Sequence, residues 1–295
     1  MKKILILGGT TYDEVIHLDH LPDPTPQSVF GSSYETIGST GAGKALSMTK
    51  LGIPNTLHSI LGNDSMGKEI IHFLQENGVD FLYDFDNVTE KHVNLMDKSG
   101  ERISIFVNTS NPDVPLDISR LDRLIQAADL VVLNIIGYTK RLIPMLAKYQ
   151  KEVWTDLHDY LPGDPYYDAY LRASAVVFFS SDRLPDYKTE MEKMIRSGKR
   201  FVVCTHGKKG ATLKEPGKEL VFEPVIDTYR YVDANGAGDN FFSGFLYGYL
   251  KGCTAEESMC YATIAGGLAI TTIGLVSPDL SADYMETMYQ KIYGK

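Results

Sequence analysis

The stretch Val232-Asp233-Ala234-Asn235-Gly236-Ala237-Gly238-Asp239 concentrates small residues and a carboxylate just ahead of an apolar pattern. Phe241, Phe242, Phe245, Leu246, Tyr249 and Leu250 recur at helical spacing, which predicts that Gly236-Ala237-Gly238-Asp239 forms the loop and first turn of a helix. A phosphate can approach the backbone at such a turn, where free amides and the positive end of the helix dipole stabilise its charge. In phosphoryl transfer the protein mainly positions the in-line groups and neutralises the equatorial oxygens, while a carboxylate takes the attacking hydroxyl's proton. Asp239 has the type and the place for that base. A helix-capping aspartate, contributing about 1 kcal/mol, would stand at the same position, and spacing alone leaves both readings open.

Other segments imitate known chemistry less well. Gly38-Ser39-Thr40-Gly41-Ala42-Gly43-Lys44 meets the G-x-x-x-x-G-K core of a Walker A loop, but Ala45 follows where such a loop needs Ser or Thr for Mg²⁺. The preceding Tyr34-Glu35-Thr36-Ile37 is also polar, unlike the buried strand that feeds a P-loop. Lys44 is read instead as a contact for an anionic substrate group, or as a solvated lysine on an exposed helix face. Gly8-Gly9-Thr10-Thr11 lacks the dinucleotide spacing and reads as a tight turn. His158 and His206 stand alone at strand ends without metal-ligand spacing, and the single Trp154 reads as core.

The elements that must position these residues follow an α/β rhythm. Apolar runs of strand length, at 3–7, 130–133, 153–157, 175–179 and 201–204, alternate with amphipathic stretches at 66–76, 118–127, 140–149 and 186–195. That order predicts βαβ units and a parallel sheet covered on both faces. Two segments break the rhythm, 28–37 and 92–107, the second alternating around a turn at Lys98-Ser99-Gly100. They read as antiparallel strands outside the main sheet, suited to a lid over a site at its edge. Hydrophobic residues make up 43% and charged residues 23% of the 295, enough to bury a large core without metals or disulfides. The net charge of -9 and the lack of a long basic block argue against nucleic acid. Three cysteines, Cys204, Cys253 and Cys260, with no C-x-x-C fit a reduced cytoplasm. The apolar run after Lys2-Lys3 is too short for a secretory signal, and no stretch approaches the about 18 apolar residues of a membrane span.

The signature segment resembles D-T-x-G-A-G-D of the PfkB family, which includes ribokinase, fructokinases and adenosine kinase. The likeness extends over nearly the whole chain in the same order. Asp13 stands at the family's early aspartate, followed by Leu21-Pro22-x-Pro24, and 38–52 is similar to the glycine-rich G-G-x-x-x-N segment and its helix. Leu61-Gly62-Asn63-Asp64-x-x-Gly67, Gly78-Val79-Asp80 and Thr205-His206-Gly207-Lys208-Lys209-Gly210-Ala211, similar to T-x-G-x-x-G-A, also fit. The resemblance implies one kinase domain over 1–295, a three-layer α/β/α body with a mainly parallel sheet, and a small β-sheet lid from roughly 11–37 and 91–109. It implies Mg-ATP as phosphoryl donor, Asp239 as base, and an anion hole from the amides of Gly236, Ala237, Gly238 and Asp239. Asp13, Gly41 and Gly43, with Lys44, would line the sugar side; Thr205, Gly207 and Gly210 would lie near ATP, with Thr263 flanking the adenine. Asp233 stands where some members help to bind a monovalent cation such as K⁺.

Four departures accompany the likeness. Ala234 replaces the signature Thr, Gly43 replaces a substrate-contacting Asn, and Thr11-Tyr12-Asp13 replaces N-x-D. The N-x-x-E motif that organises Mg²⁺ is replaced by Ser180-Ser181-Asp182-Arg183-Leu184-Pro185, where Asp182 is the candidate substitute. The expectation is a kinase acting on a hydroxyl of a small sugar. A nucleoside kinase is the alternative favoured by Asn235, and a non-catalytic ligand sensor the one favoured by the missing N-x-x-E. Edge strands of the lid suggest a homodimer.

Overall fold

A computed structural model describes residues 2–98 and 101–294; Ser99 and Gly100, in the turn expected between the second pair of strands, lie outside it. The chain runs β1 (Ile4–Leu7), β2 (Thr11–Leu18), β3 (Ser32–Gly38), α1 (Thr40–Lys50), β4 (Asn55–Gly62), α2 (Ser65–Glu76), β5 (Asp80–Asp86), β6 (Lys91–Asp97) and β7 (Arg102–Asn108). It continues through α3 (Ile118–Ala127), β8 (Leu130–Leu133), a 3₁₀ turn (Gly137–Leu142), α4 (Ile143–Lys148), β9 (Glu152–Asp156), α5 (Asp168–Ala173), β10 (Val176–Ser180) and α6 (Tyr187–Arg196). Last come β11 (Phe201–Thr205), a second 3₁₀ turn (Gly207–Lys209), β12 (Gly210–Lys214), β13 (Val221–Pro224), α7 (Ala237–Leu250), α8 (Ala255–Ala269) and α9 (Ala282–Tyr293).

Nine strands form the main sheet in the order β13-β12-β11-β10-β9-β8-β1-β4-β5, parallel from β11 to β5 with β12 and β13 antiparallel at one edge. Its central strands are continuous apolar runs because both faces are covered. Ile4 and Ile6 of β1 and Val176 and Phe178 of β10 enter a core shared with α1, α2, α7, α8 and α9. Leu5, Leu7, Val177 and Phe179 enter the opposite core, shared with α3, α5 and α6. Three layers result, as the sequence predicts. Trp154 of β9 is fully buried and meets Phe178, Phe201, Phe242, Phe245 and Tyr249 at ring distances of 5.0–6.2 Å, clamping α7 to the sheet.

Four strands of the main sheet, β4, β5, β12 and β13, escaped the reading. β4 and β5 carry polar residues, and the buried His58 and Ser59 of β4 spend theirs on partners: His58 meets Asp84 and Tyr138, Ser59 meets Thr10. The stretch expected as one helix at 140–149 is a 3₁₀ turn followed by the short α4, because Pro144 sits at the helix start where its missing amide costs nothing. The small sheet has the order β3-β2-β6-β7. Its flanking pairs are antiparallel as expected, but the central pair, β2 with β6, is parallel, because the chain crosses through β4, α2 and β5 between them. Gly8, Gly9 and Thr10 form an irregular connection rather than the expected tight turn, and Thr11 already opens β2. No helix of the described residues is long and apolar enough to cross a membrane.

Candidate active site

The signature loop behaves as its composition dictates. Gly236 caps α7 with φ 74°, and a Cβ there would overlap the carbonyl of Leu275, so glycine is required twice over. Asn240 donates to the carbonyls of Gly236 and Leu275 at 2.8 and 2.7 Å, pinning the loop. No side chain caps the helix; the Ala237 amide is spent on the Ala234 carbonyl at 3.2 Å, which corrects its place in the expected anion hole, and the Gly238 and Asp239 amides are left for a ligand. Asp239 lies in the first turn and is 7% exposed.

Asp239 is not alone. Nζ of Lys44, on α1, lies 2.5 Å from its Oδ1 and 3.2 Å from Oδ2 of Asp156 at the end of β9. Lys44 is fully buried, which overturns the solvated-lysine reading: its ammonium sits between two carboxylates. Burial pushes Asp239 up from the ordinary carboxylate range, and the Lys44 ammonium only partly pulls it back. Burial acts on Asp156 in the same sense but is outweighed by His158 and Lys44, which leave it lowered. Lys44 itself is raised, the two carboxylates outweighing its own desolvation. Asp156 was not singled out from the sequence, where it lies within the apolar run 153–157. Gly43 abuts Asp239 so closely that a Cβ would strike its Oδ2, which accounts for the absence of the Asn found in the resembled pattern.

The end of β3 and the first turn of α1 are approached at three points. Asp13 presses on Gly38, Gly9 on Gly41, and Asp239 on Gly43. Ser39, where the G-G pattern has its second glycine, takes φ 74°. Asp13, on β2, is buried and accepts from Thr11 Oγ1 at 2.6 Å and Asn94 Nδ2 at 3.2 Å, with His92 Nδ1 3.7 Å away. Burial raises its carboxyl despite these partners. His92 in turn meets Glu90 at 2.9 Å. Asn134, just beyond β8, bonds Thr40 and leaves its buried Oδ1 unpaired. Tyr34 of β3 donates to Asp233 Oδ2 at 2.7 Å, tying the small sheet to the signature loop, while the Asn235 amide donates to Asp233 Oδ1 at 2.9 Å. His92, Asn94, Asn134 and Tyr34 carried no sequence signal, since each is polar for a partner distant in the chain.

Thr205 ends β11, Gly207 opens the following 3₁₀ turn with φ 53°, and Gly210 starts β12 with φ 126° against the Glu223 carbonyl. Thr263 of α8 has a buried Oγ1 with no partner, as does Nδ2 of Asn235 beside the signature loop. Orphaned polar atoms at these places are what a nucleotide or acceptor would satisfy. Asp182 is exposed in the turn after β10, its charge acting on His206 rather than on the Lys44 cluster. Every strand-end residue of the site stands at a carboxyl end of the parallel sheet, where open α/β sheets bind ligands. The segment before α1 is β3 of the small sheet, which disposes of a P-loop.

Residues 173–282 match the family model for pfkB family carbohydrate kinases. The chain is 30% identical over 275 residues to acarbose 7(IV)-phosphotransferase of Actinoplanes sp., covering 91% of this chain and 92% of that protein. It is 26% identical to ribokinase of Lactococcus lactis, over 93% of this chain and 92% of the relative. Among solved structures, a microbiome-derived acarbose kinase superposes with a TM-score of 0.86 at 23% identity, covering 98% of both chains. Ribokinase of Giardia lamblia has the same TM-score at 19% identity over 98% and 99%, so the fold is ribokinase-like. Identity over nearly the full length, together with the ordered motifs, makes the chain a member of the PfkB carbohydrate kinases, phosphotransferases with an alcohol group as acceptor.

Proposed function

We propose that this sugar kinase transfers the γ-phosphoryl of ATP to a hydroxyl of a small sugar, with Asp239 taking the hydroxyl's proton. The observation that carries the reading is a buried carboxylate, raised by burial, in the first turn of a helix that no side chain caps. The amides of Gly236, Gly238 and Asp239 form the anion hole, while that of Ala237 donates to the Ala234 carbonyl. Asp13, Gly41 and Gly43 line the acceptor side, and Thr205, Gly207, Gly210 and Thr263 the nucleotide side, a division supported by the orphaned atoms of Asn235 and Thr263.

Mg²⁺ accompanies ATP and neutralises phosphate charge. It keeps several waters and asks little of the protein, in keeping with the lack of any cluster of three metal-binding side chains among the described residues. Asp182 is the carboxylate we assign to its water shell, and Asp233 the one we assign to a monovalent cation such as K⁺. The described cysteines form no disulfide, in line with a cytoplasmic enzyme. A homodimer through the small sheet is part of the same reading.

The test is ADP release from Mg-ATP across pentoses, hexoses, sugar phosphates, nucleosides and acarbose, for the wild type and Asp239→Asn. Turnover of a sugar, reduced roughly 10²- to 10⁴-fold in the variant, is expected. Turnover of nucleosides alone would redirect the substrate assignment. Compounds that raise the melting temperature with none turned over would replace the kinase by a sensor.

A further inference from the structure

Resting on Asp239 as the base, we infer that Lys44 and Asp156 are positioning residues that hold one oxygen of Asp239 and leave the other as the proton acceptor. The Lys44 ammonium, fully buried and 5.1 Å from the centre of the Phe242 ring, has nowhere to go but between the two carboxylates. It engages Oδ1 of Asp239 at 2.5 Å. Oδ2 accepts no hydrogen bond from the described residues and faces Gly43, where any side chain would cover it. An acceptor hydroxyl therefore finds one oxygen of the base, and that oxygen lies at a gap kept open by a glycine.

Asp156 keeps the lysine in place from the far side, and it is itself fixed. The His158 amide donates to its Oδ1 at 3.0 Å, and His158 Nδ1 lies 3.5 Å from its Oδ2. His158 takes φ 52°, in the left-handed region where His, like Asn and Asp, is found more often than other residues with a side chain. The charged or titratable groups facing Asp239 are thus Lys44 from α1, Asp156 at the end of β9 and His158 just after it.

In the step itself the acceptor oxygen bonds to the γ-phosphorus as the bond from that phosphorus to the β,γ-bridging oxygen breaks. The hydroxyl proton passes to Oδ2 of Asp239, and ADP leaves with the electron pair of the broken bond. Lys44 stays an ammonium throughout and exchanges no proton. Its charge beside Oδ1 favours the ionised form of Asp239 against the effect of burial, and Asp156 opposes it by its own charge while anchoring the lysine.

Opposite effects of the two partners give the test. Protein labelled with ¹³C at the aspartate carboxyls is titrated by NMR without substrate, with Asp239→Asn assigning the resonance. Lys44→Met is expected to raise the Asp239 midpoint by about one to three pH units, and Asp156→Asn to lower it. A midpoint unmoved by Lys44→Met, or moved upward by Asp156→Asn, overturns the inference. If Lys44→Met does not fold, Asp156→Asn, which keeps the Lys44–Asp239 pair, decides alone: a lower midpoint supports the inference and an unchanged or higher one sinks it. The two readings fail separately. Asp239→Asn that still turns over sugar removes the base, whereas an inactive Asp239→Asn with unmoved midpoints removes only the role of Lys44 and Asp156.

Discussion

Gly43 shows how a single missing side chain serves the chemistry. Its Cα lies where a methyl group would strike Oδ2 of Asp239, and a base displaced by about 1 Å can lose roughly 10²-fold in rate. Gly43→Ala is expected to lower kcat by about that factor with ATP affinity unchanged, measured by steady-state kinetics and nucleotide titration; full activity would mean the carboxylate has room to spare. Asp239 was legible because its loop and its helix are contiguous from 232 to 250, so composition and period speak together. The Lys44 cluster was not, since its pairs join residues 112 and 195 positions apart and an ion pair leaves no local period. Ser39 likewise hides its backbone, φ 74° with ψ 152°, a conformation costing about 1–3 kcal/mol in a residue with a Cβ.

At the scale of elements, the central strands and the helices α2, α3 and α6 follow from apolar periodicity, and Asp64, Asp117 and Asp186 cap them where the pattern starts. β4 was invisible because its buried His58 and Ser59 look like surface until their partners are known. β3 matters beyond its own sheet. Its Tyr34 hydroxyl reaches Asp233, which is 1% exposed, and so couples the small sheet to the loop that precedes Asp239. Tyr34→Phe leaves that carboxylate with one donor fewer, a loss of about 1–3 kcal/mol expected as a lower Tm in thermal unfolding. An unchanged Tm would show the link to be incidental.

Across the whole molecule, the two sheets differ in how they end. The main sheet is wrapped by helices, whereas β7 closes the small sheet with Ile103, Ile105, Phe106 and Val107 all exposed. An uncovered apolar edge strand invites pairing with another chain. Light scattering is therefore expected to give about twice the single-chain mass of 32.8 kDa, and a monomer at micromolar concentration would count against the homodimer. The parallel pairing of β2 with β6 has a consequence in time. It places Asp13 beside His92, 79 positions on (92 − 13), so this register closes only after a long stretch of intervening chain has been gathered in. Loop closure of that length is paid before any contact rewards it. The small sheet that carries Asp13 is thus expected to complete its pairing late in folding, after the short-range contacts of the main sheet.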